Sequence, residues 1–172
     1  PERDRRNDTG TDMGGALYLQ AARLVLRPVQ PRDAEHIATG LNDWEVTKWL
    51  LPVPWPHTIE QAEWFLNNPP SEGALAIDLE GTFTGVVHLG SGCEIGYWLD
   101  RRYQGRGYMT EAVSALIAHH FRNGGGPVTG GYILGNAASR NVQLKVGFRE
   151  THIEVKPSVP RGTDVDVMQM EL

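Results

Sequence analysis

Hydrophobic residues change their spacing several times along the chain, from every second position to every third or fourth. The segment RLVLRP (23–28) alternates as a strand that its proline ends, and the apolar residues after Pro31 repeat at helical spacing. Three apolar runs at 74–79, 84–89 and 93–99 are separated by turns that contain glycine. This order predicts a mixed α/β fold in which the three runs form an antiparallel meander.

Helices are predicted wherever apolar residues return at every third or fourth position. The pair Thr58 and Gln61 forms a capping box, which predicts a helix to about Asn67. A second helix is predicted from Gly107 to Phe121, with an apolar stripe of Met109, Ala112, Val113, Leu116, Ile117 and His120. The remaining predicted elements are a strand at 128–134, a short helix at about 137–146, and closing strands near 148–155 and 164–171.

Length and composition indicate a single folded domain without a membrane span. The chain has 172 residues, enough for one domain with a buried core, and we expect residues 16–172 to form that domain. Residues 1–15 are charged, contain several glycines and lack apolar periodicity, which is typical of a disordered tail or a cloning remnant. No apolar run reaches the ~18–20 residues of a membrane span, so we expect no membrane partner.

The net charge and the cysteine content argue against a nucleic-acid-binding, disulfide-stabilised or metal-binding protein. The net charge is −5, so the chain as a whole repels nucleic acid and any phosphate site must be local. Cys93 is the only cysteine, which excludes an internal disulfide and a multi-thiolate metal site and indicates a cytoplasmic protein. Histidines and carboxylates do not occur together at zinc-ligand spacing, so we expect no metal.

The strongest candidate for chemistry is the octet RRYQGRGY (101–108), which lies between a predicted strand and an amphipathic helix. Glycines let the backbone approach a ligand, and the first N–H groups of a helix lack partners within it, so the octet predicts a diphosphate cradle. Its arginines suit phosphate oxygens. No lysine follows the glycines as in a P-loop, and Thr110 stands where a dinucleotide fingerprint needs glycine. The alternative is a basic turn whose glycines serve geometry alone.

The octet also carries a family resemblance. Arg102, Gly105 and Gly107 resemble the acyl-CoA diphosphate motif of the GNAT superfamily, Arg/Gln-x-x-Gly-x-Gly/Ala. The longer string EIGYWLDRRYQGRGYMTEAV and the block NAASRNVQLKVGF (136–148) resemble the branch that contains the ribosomal-protein alanine N-acetyltransferases (RimJ/RimL type). The opening strand is also similar to that branch, so the resemblance covers roughly residues 18–172.

This resemblance implies a mixed, mostly antiparallel twisted sheet of about seven strands, flanked by about four helices. A V-shaped splay is expected between the fourth and fifth strands, here 93–99 and 128–134. Acetyl-CoA would lie in the splay, with its pantetheine arm paired to the backbone of the fourth strand as an added strand would be. The residues that the resemblance implies as cofactor contacts are Tyr97, Trp98, Leu99, Arg102, Gln104, Gly105, Arg106, Gly107, Tyr108, Met109, Asn136 and Ser139.

The same resemblance implies roles for Ser139 and Asn136, while the oxyanion donor and the candidate bases are inferred from the residues themselves. Ser139 would donate a hydrogen bond to the leaving thiolate, directly or through water, and Asn136 would orient the pantetheine arm or a water, or simply cap a helix. A backbone N–H near Tyr97–Leu99 would stabilise the developing oxyanion. Glu94 is the candidate base, acting through water, although it equally suits the polar face of a sheet. His88 is its rival, because histidine titrates in the useful range.

The expected function is therefore an N-acetyltransferase that moves an acetyl group from acetyl-CoA to a protein N-terminal α-amine or a small-molecule amine. The acceptor pocket would be built by residues 44–58, where tryptophans and prolines predict a short helix and a stiff loop, and by residues 157–163. Two alternatives remain open, a non-catalytic acyl-CoA sensor and a nucleotide-binding regulator. The protein would be a monomer or a homodimer.

Overall fold

The computed structural model describes residues 16–68 and 73–172, so the predicted tail at 1–15 and the proline pair at 69–70 lie outside it. The strands are β1 Leu19–Gln20, β2 Val25–Pro28, β3 Ala74–Leu79, β4 Thr82–Leu89, β5 Ile95–Leu99, β6 Thr129–Ile133, β7 Arg149–Ser158 and β8 Thr163–Glu171. The α-helices are α1 Ala34–Leu41, α2 Trp44–Thr47, α3 Ile59–Asn67, α4 Tyr108–Arg122 and α5 Ala137–Val146.

The strands form two antiparallel sheets. The first has the order β1-β2-β3-β4-β5 and contains the predicted meander, and the second has the order β6-β8-β7. The mixed α/β fold is thus confirmed, with the two-residue β1 as an added first strand and the one-turn α2 as the short helix predicted within residues 44–58. The two strands that we expected to splay apart are β5 and β6, and each is the edge of its own sheet.

Alternating side chains on β5 bury both faces of the first sheet. Ile95 and Leu99 belong to a core shared with α4, while Trp98 packs against a second core that α1 and α3 cover. This arrangement follows from the period of a strand, in which successive side chains point to opposite faces. Gly40 on α1 makes the second contact possible, because a Cβ there would lie 2.6 Å from the Trp98 ring. Residues of β5 are therefore held rigidly from both sides.

The apolar stripe of α4 is buried at five of its six predicted positions, from Met109 to Ile117. His120 is the exception: its ring is half-buried, and Nε2 lies 2.9 Å from the carbonyl oxygen of Gly126, to which it donates. The prediction that His120 packs in the core was wrong, because the stripe leaves the sheet at the last turn of the helix. Among the described residues, no helix is long and apolar enough to cross a bilayer.

A buried ion cluster fixes the start of α1 against the first sheet. Arg27 on β2 donates to Asp33 at 2.8 and 2.9 Å and to Asp78 on β3 at 3.0 Å. All three residues are less than 10% exposed. Asp33 also accepts a hydrogen bond of 2.8 Å from the backbone N–H of Gln30, which closes the turn before the helix. The cluster sets the position of α1 and of the loop that follows it.

Candidate active site

The two sheets meet at one point and then diverge. Glu94 and Thr129 form an isolated parallel bridge, and the Thr129 N–H donates to the Cys93 carbonyl at 3.0 Å. Beyond this point β5 and β6 belong to different sheets. The result is a V-shaped opening with its apex near Glu94, as the resemblance implied.

Backbone groups of β5 are directed into this opening at every second residue. Gly90 donates to the Glu94 carbonyl and Asp100 donates to Thr84, so the even-numbered residues of β5 make the hydrogen bonds to β4. In an antiparallel pair these bonds alternate, and the N–H and C=O groups of the odd-numbered residues therefore face the splay. Those residues are Ile95, Tyr97 and Leu99.

This alternation separates the three residues that we expected to contact the cofactor on β5. Tyr97 and Leu99 present backbone N–H groups to the splay. The backbone of Trp98 faces β4 and its ring packs against α1, so both are directed away from the splay. The physical reason is the strand period, which allows only alternate residues to use the open edge.

The opposite wall of the splay is already hydrogen-bonded. The Gly131 carbonyl accepts from Nε2 of Gln143 at 2.9 Å, and the Ile133 carbonyl accepts from the backbone N–H of Asn136 at 2.9 Å. These two carbonyls of β6 are therefore satisfied by α5 and its leading loop, whereas no strand of the described residues pairs with the Ile95 and Tyr97 carbonyls along the splay. An extended ligand in the splay would pair with β5.

The N-terminus of α4 opens at the wide end of the splay. Gly107 is the N-cap, with φ +79°, and no side chain in the described part of the chain caps the helix. Gly105 has φ +75°, and a Cβ added there would have no described atom within 4 Å. Both glycines thus adopt the left-handed conformation that other residues avoid, and they leave the first N–H groups of α4, at Tyr108 and Met109, accessible to an anion.

Three side chains of the 101–108 loop interact with other residues of the protein, and a fourth, Arg106, forms no ion pair with a described residue. Arg102 is paired with Asp100 at 2.8 Å, and Arg101 lies 3.5 Å from Asp43. Gln104 donates to the Leu99 carbonyl at 2.8 Å, which fixes the loop on the end of β5. Arg106 is exposed and makes no ion pair with any described residue. Arg106 is therefore the loop arginine whose charge is available to a phosphate.

The Arg23 side chain holds the 101–108 loop against α4, and no sequence pattern indicated these contacts. The guanidinium of Arg23 donates to the carbonyl of Arg106 at 3.1 Å and to Glu111 at 2.8 Å, and it lies 4.5 Å from the centre of the Tyr108 ring. It also neutralises the carboxylate of Glu111, which is an unfavourable charge beside a phosphate site. Because Arg23 and Glu111 are 88 residues apart, no local pattern indicated the pair.

Ser139 lies in a buried polar cluster on the α5 side of the splay. Its Oγ is 2.9 Å from the Tyr97 hydroxyl and 3.3 Å from Nε2 of Gln143. Asn136 is the N-cap of α5 and accepts from the Ser139 N–H at 3.2 Å, so the capping role that the sequence left open is the one observed. Gln143 is fully buried, and its Oε1 has no hydrogen-bond partner among the described residues. The i, i+4 spacing of Ser139 and Gln143 was the signal that could have found this cluster.

The Tyr97 hydroxyl has two acceptors on Ser139 and one hydrogen to give. Burial raises the pKa of Tyr97, and the hydrogen bonds with Ser139 and Gln143 lower it by less, so the net direction is upward and Tyr97 is protonated at neutral pH. Its hydrogen can go to the Ser139 Oγ at 2.9 Å or to the Ser139 carbonyl at 3.3 Å. In the first arrangement Oγ accepts from both Tyr97 and Nε2 of Gln143, and the hydroxyl hydrogen of Ser139 is left for a ligand.

The candidate bases lie on the opposite face of β5. Glu94 is exposed at the apex, and His88 on β4 pairs in register with Gly96, with its ring over that glycine. Burial lowers the pKa of His88 more than the charge of Glu94 raises it. Its Nδ1 is buried without a hydrogen-bond partner in the part of the chain that the structure describes. A neutral imidazole and a carboxylate thus share one face near the apex.

The two segments predicted to build the acceptor pocket are in contact. The Val159 N–H donates to the Leu51 carbonyl at 2.9 Å, and Nε of Arg161 donates to the Lys48 carbonyl at 2.8 Å. These bonds join the loop after α2 to the turn between β7 and β8. The Trp49 ring reaches Gly135, at the end of β6, where an added Cβ would lie 3.7 Å from the indole. The joined segments therefore border the open end of the splay.

Comparison with known proteins identifies the class to which this splayed fold belongs. Residues 23–149 match the family described as Acetyltransferase (GNAT) domain, and the chain therefore belongs to the GNAT acetyltransferases. This result confirms the resemblance that was based on the loop and on the 136–148 block. The protein is accordingly an acetyltransferase of this family.

Particular relatives agree with this assignment. The chain is 28% identical to YdaF of Bacillus subtilis strain 168, which is named for ribosomal N-acetyltransferase activity, over 74% of this chain and 78% of YdaF. Its fold is similar to a GNAT-family acetyltransferase from Bacillus anthracis, with a TM-score of 0.79, 22% identity and coverage of 90% and 97% of the two chains. It is also similar to RimL, a ribosomal L7/L12 α-N-protein acetyltransferase solved with coenzyme A, with a TM-score of 0.75, 20% identity and coverage of 88% and 94%.

Proposed function

We propose that this protein transfers the acetyl group of acetyl-CoA to a primary amine, which is either the α-amine of a protein N-terminus or an amine of a small molecule. The observation that carries the proposal is the splay between β5 and β6, which has an uncapped helix N-terminus at its wide end and the Ser139 hydroxyl inside it. RimL, which is similar in fold, is described as an α-N-protein acetyltransferase with bound coenzyme A. The proposal applies that activity to this chain.

The backbone groups and the positive charge of the site both suit coenzyme A. Arg106 and the N–H groups at the start of α4 would hold the diphosphate, which carries negative charge. The Ile95 carbonyl and the N–H and C=O groups of Tyr97 would pair with the amides of the pantetheine arm. Bound in this way, acetyl-CoA supplies an activated acetyl group that an amine attacks directly, with the thiol as leaving group. The Tyr97 or Leu99 N–H would stabilise the charge that develops on the thioester oxygen.

Ser139 would hydrogen-bond the departing sulfur. A thiol with a pKa of about 8.5 is a good leaving group at neutral pH, so a hydrogen bond is sufficient and full protonation by the serine is unnecessary. Gln143 donates to the Ser139 oxygen, and if Tyr97 also donates to it, the two would orient the hydroxyl for this purpose. Asn136 fixes the first turn of α5, which holds Ser139 in place.

Replacing Ser139 with alanine is expected to lower kcat about tenfold or more and to leave coenzyme A affinity within about twofold, because the hydroxyl acts mainly on charge that develops during the reaction. Steady-state kinetics and calorimetry measure the two effects. Ser114→Ala, at an exposed position of α4, is the matched control and should change neither quantity. Equal kcat values for the Ser139 variant and the wild type would contradict this role.

Glu94 would take the proton of the attacking amine through a water, and His88 would share that water on the same face. Glu94→Gln is expected to lower kcat/KM about a hundredfold, within the usual range for a general base. Because the Glu94 charge raises the pKa of His88, its removal should also move the acid limb of the pH–rate profile to lower pH. Rates measured from about pH 5 to 8 test this. Glu63→Gln, on the exposed face of α3, is the control, and an unshifted acid limb would argue against the pairing.

A thiol-release assay with acetyl-CoA and a panel of peptide and small-molecule amines tests the proposed function. Acceptor-dependent release of the thiol supports an acetyltransferase reaction on amines. Binding of acetyl-CoA without turnover of any amine would instead indicate an acyl-CoA sensor. A shift in Tm with ATP equal to that with acetyl-CoA would indicate the nucleotide-binding alternative, because each ligand stabilises the fold in proportion to its binding.

A further inference from the structure

Arg161 carries a positive charge that no carboxylate among the described residues neutralises. Its Nε is held by the Lys48 carbonyl at 2.8 Å, and its guanidinium lies 5.1 Å from the centre of the Trp49 ring. Lys48 also lies against this ring, at 5.2 Å, but Lys48 is paired with Glu45 at 2.6 Å. One indole thus contacts two cations, of which only one has an anionic partner. The unmatched charge belongs to Arg161.

The position of Arg161 relates this charge to the reaction. The Trp49 ring lies beside Gly135, 3.7 Å from where a Cβ would stand, and Gly135 directly precedes the helix cap Asn136 and the turn that carries Ser139. Arg161 therefore borders the open end of the splay, on the segments that join α2 to the β7–β8 turn. Its side chain is half-buried and fixed at both the Nε and the ring face, so its terminal amino groups are pre-organised for a ligand.

We propose that Arg161 binds a carboxylate of the acceptor, so that the enzyme prefers amines with a negative charge close to the reacting amino group. A guanidinium fixed in this way matches a carboxylate in a two-point hydrogen-bonded pair. The protein as a whole has a charge of −5, which would repel such an acceptor unless a local positive charge guided it. This inference rests on the proposed function and adds the class of its acceptor.

The carboxylate could be an acidic side chain next to a peptide N-terminus or the α-carboxylate of a free amino acid. Two matched pairs of acceptors distinguish these sources: peptides that begin Ser-Glu or Ser-Gln, and serine or serine amide. For at least one pair, kcat/KM of the wild type is expected to be about tenfold higher for the acid. The pair that shows the difference identifies the source.

Variants then assign the preference to Arg161. Arg161→Met is expected to remove the difference within the pair, while Arg161→Lys, which keeps the charge, retains part of it. Arg149→Met removes an equal charge from the exposed start of β7 and should retain the full preference. Coenzyme A affinity and Tm, measured for all three variants, show that the diphosphate site and the fold are intact. A loss that appears equally with Arg149→Met would be a net-charge effect and would overturn the assignment.

The outcomes separate this inference from the proposed function. Transfer at equal rates to acidic and neutral members of both pairs would overturn the role of Arg161 and leave the acetyltransferase activity standing. Absence of transfer to every amine, with acetyl-CoA bound, would overturn the proposed function and this inference with it. A preference that survives Arg161→Met would show that another group selects the acceptor and would also overturn the inference.

Discussion

Replacing Gly107 with valine is expected to weaken coenzyme A binding about a hundredfold, which corresponds to about 2.7 kcal/mol. Gly107 is the N-cap of α4 with φ +79°, a conformation that a β-branched residue strongly disfavours. The substitution would turn the first N–H groups of the helix away from the ligand. Loss of one or two hydrogen bonds to a charged group, at about 1.5–3 kcal/mol each, accounts for an effect of this size.

Titration calorimetry with coenzyme A measures the affinity, and Gly124→Val provides a matched control. Gly124 follows the other end of α4, has the same φ of +79°, and has no described atom within 4 Å of an added Cβ. It therefore imposes the same backbone cost without touching the diphosphate loop. Normal coenzyme A affinity in a folded Gly107→Val protein would show that the loop does not bind the diphosphate.

Replacing Asp33 with alanine is expected to lower the free energy of unfolding by about 3–5 kcal/mol. The substitution leaves Arg27 buried with Asp78 as its only carboxylate partner and removes the acceptor for the Gln30 N–H. Since a domain of this kind has a total stability of about 5–15 kcal/mol, this is a large share. Urea unfolding at pH 7 measures it. The exposed pair Glu45 and Lys48 gives the contrast, because Glu45→Ala should cost less than about 1 kcal/mol.

The Asp33 contribution should also depend on pH. Burial raises the pKa of Asp33, but hydrogen bonds from Arg27 and Gln30 and the charge of Arg27 together lower it further, so the folded pKa lies below the ordinary value. A depressed carboxyl pKa gives stability that is complete above the unfolded value of about 3.9 and is lost as the pH falls through the folded value. The stability difference between wild type and Asp33→Asn should therefore shrink between about pH 5 and pH 2. A stability difference that stays constant over this pH range would contradict a lowered pKa of Asp33 in the folded protein.

Much of the fold and part of the site were predictable because they depend on short-range patterns. The capping box at Thr58 and Gln61, the antiparallel meander and the stripe on α4 are all properties of neighbouring residues, and the structure confirms them apart from His120. The backbone of the 101–108 loop belongs to the same group, because glycine spacing and the following helix define it locally, and diphosphate binding by this loop stays a prediction.

Contacts between distant segments were not predictable in this way. The Tyr97 hydroxyl meets Ser139 across the splay, 42 residues later, and Arg161 meets Lys48 over a separation of 113 residues. Arg102 and Gln104 illustrate the same limit within the loop, because the family resemblance implied ligand contacts while the structure shows them bound to Asp100 and Leu99. Whether a polar group is free for a ligand depends on which partners the fold brings to it.

The amino-acid sequence by itself determined the order of the strands and helices, the loop that follows β5 and the family resemblance, since propensity, periodicity and motif spacing are encoded between near neighbours. Only the tertiary structure decided that β5 is a sheet edge while two carbonyls of β6 are already bonded, and that neither Arg106 nor Arg161 forms an ion pair with a described residue. In each case the deciding property is whether a hydrogen-bonding group or a charge has a partner within the protein. This is decided only when segments far apart in the chain pack together and occupy, or leave unoccupied, each other's polar groups.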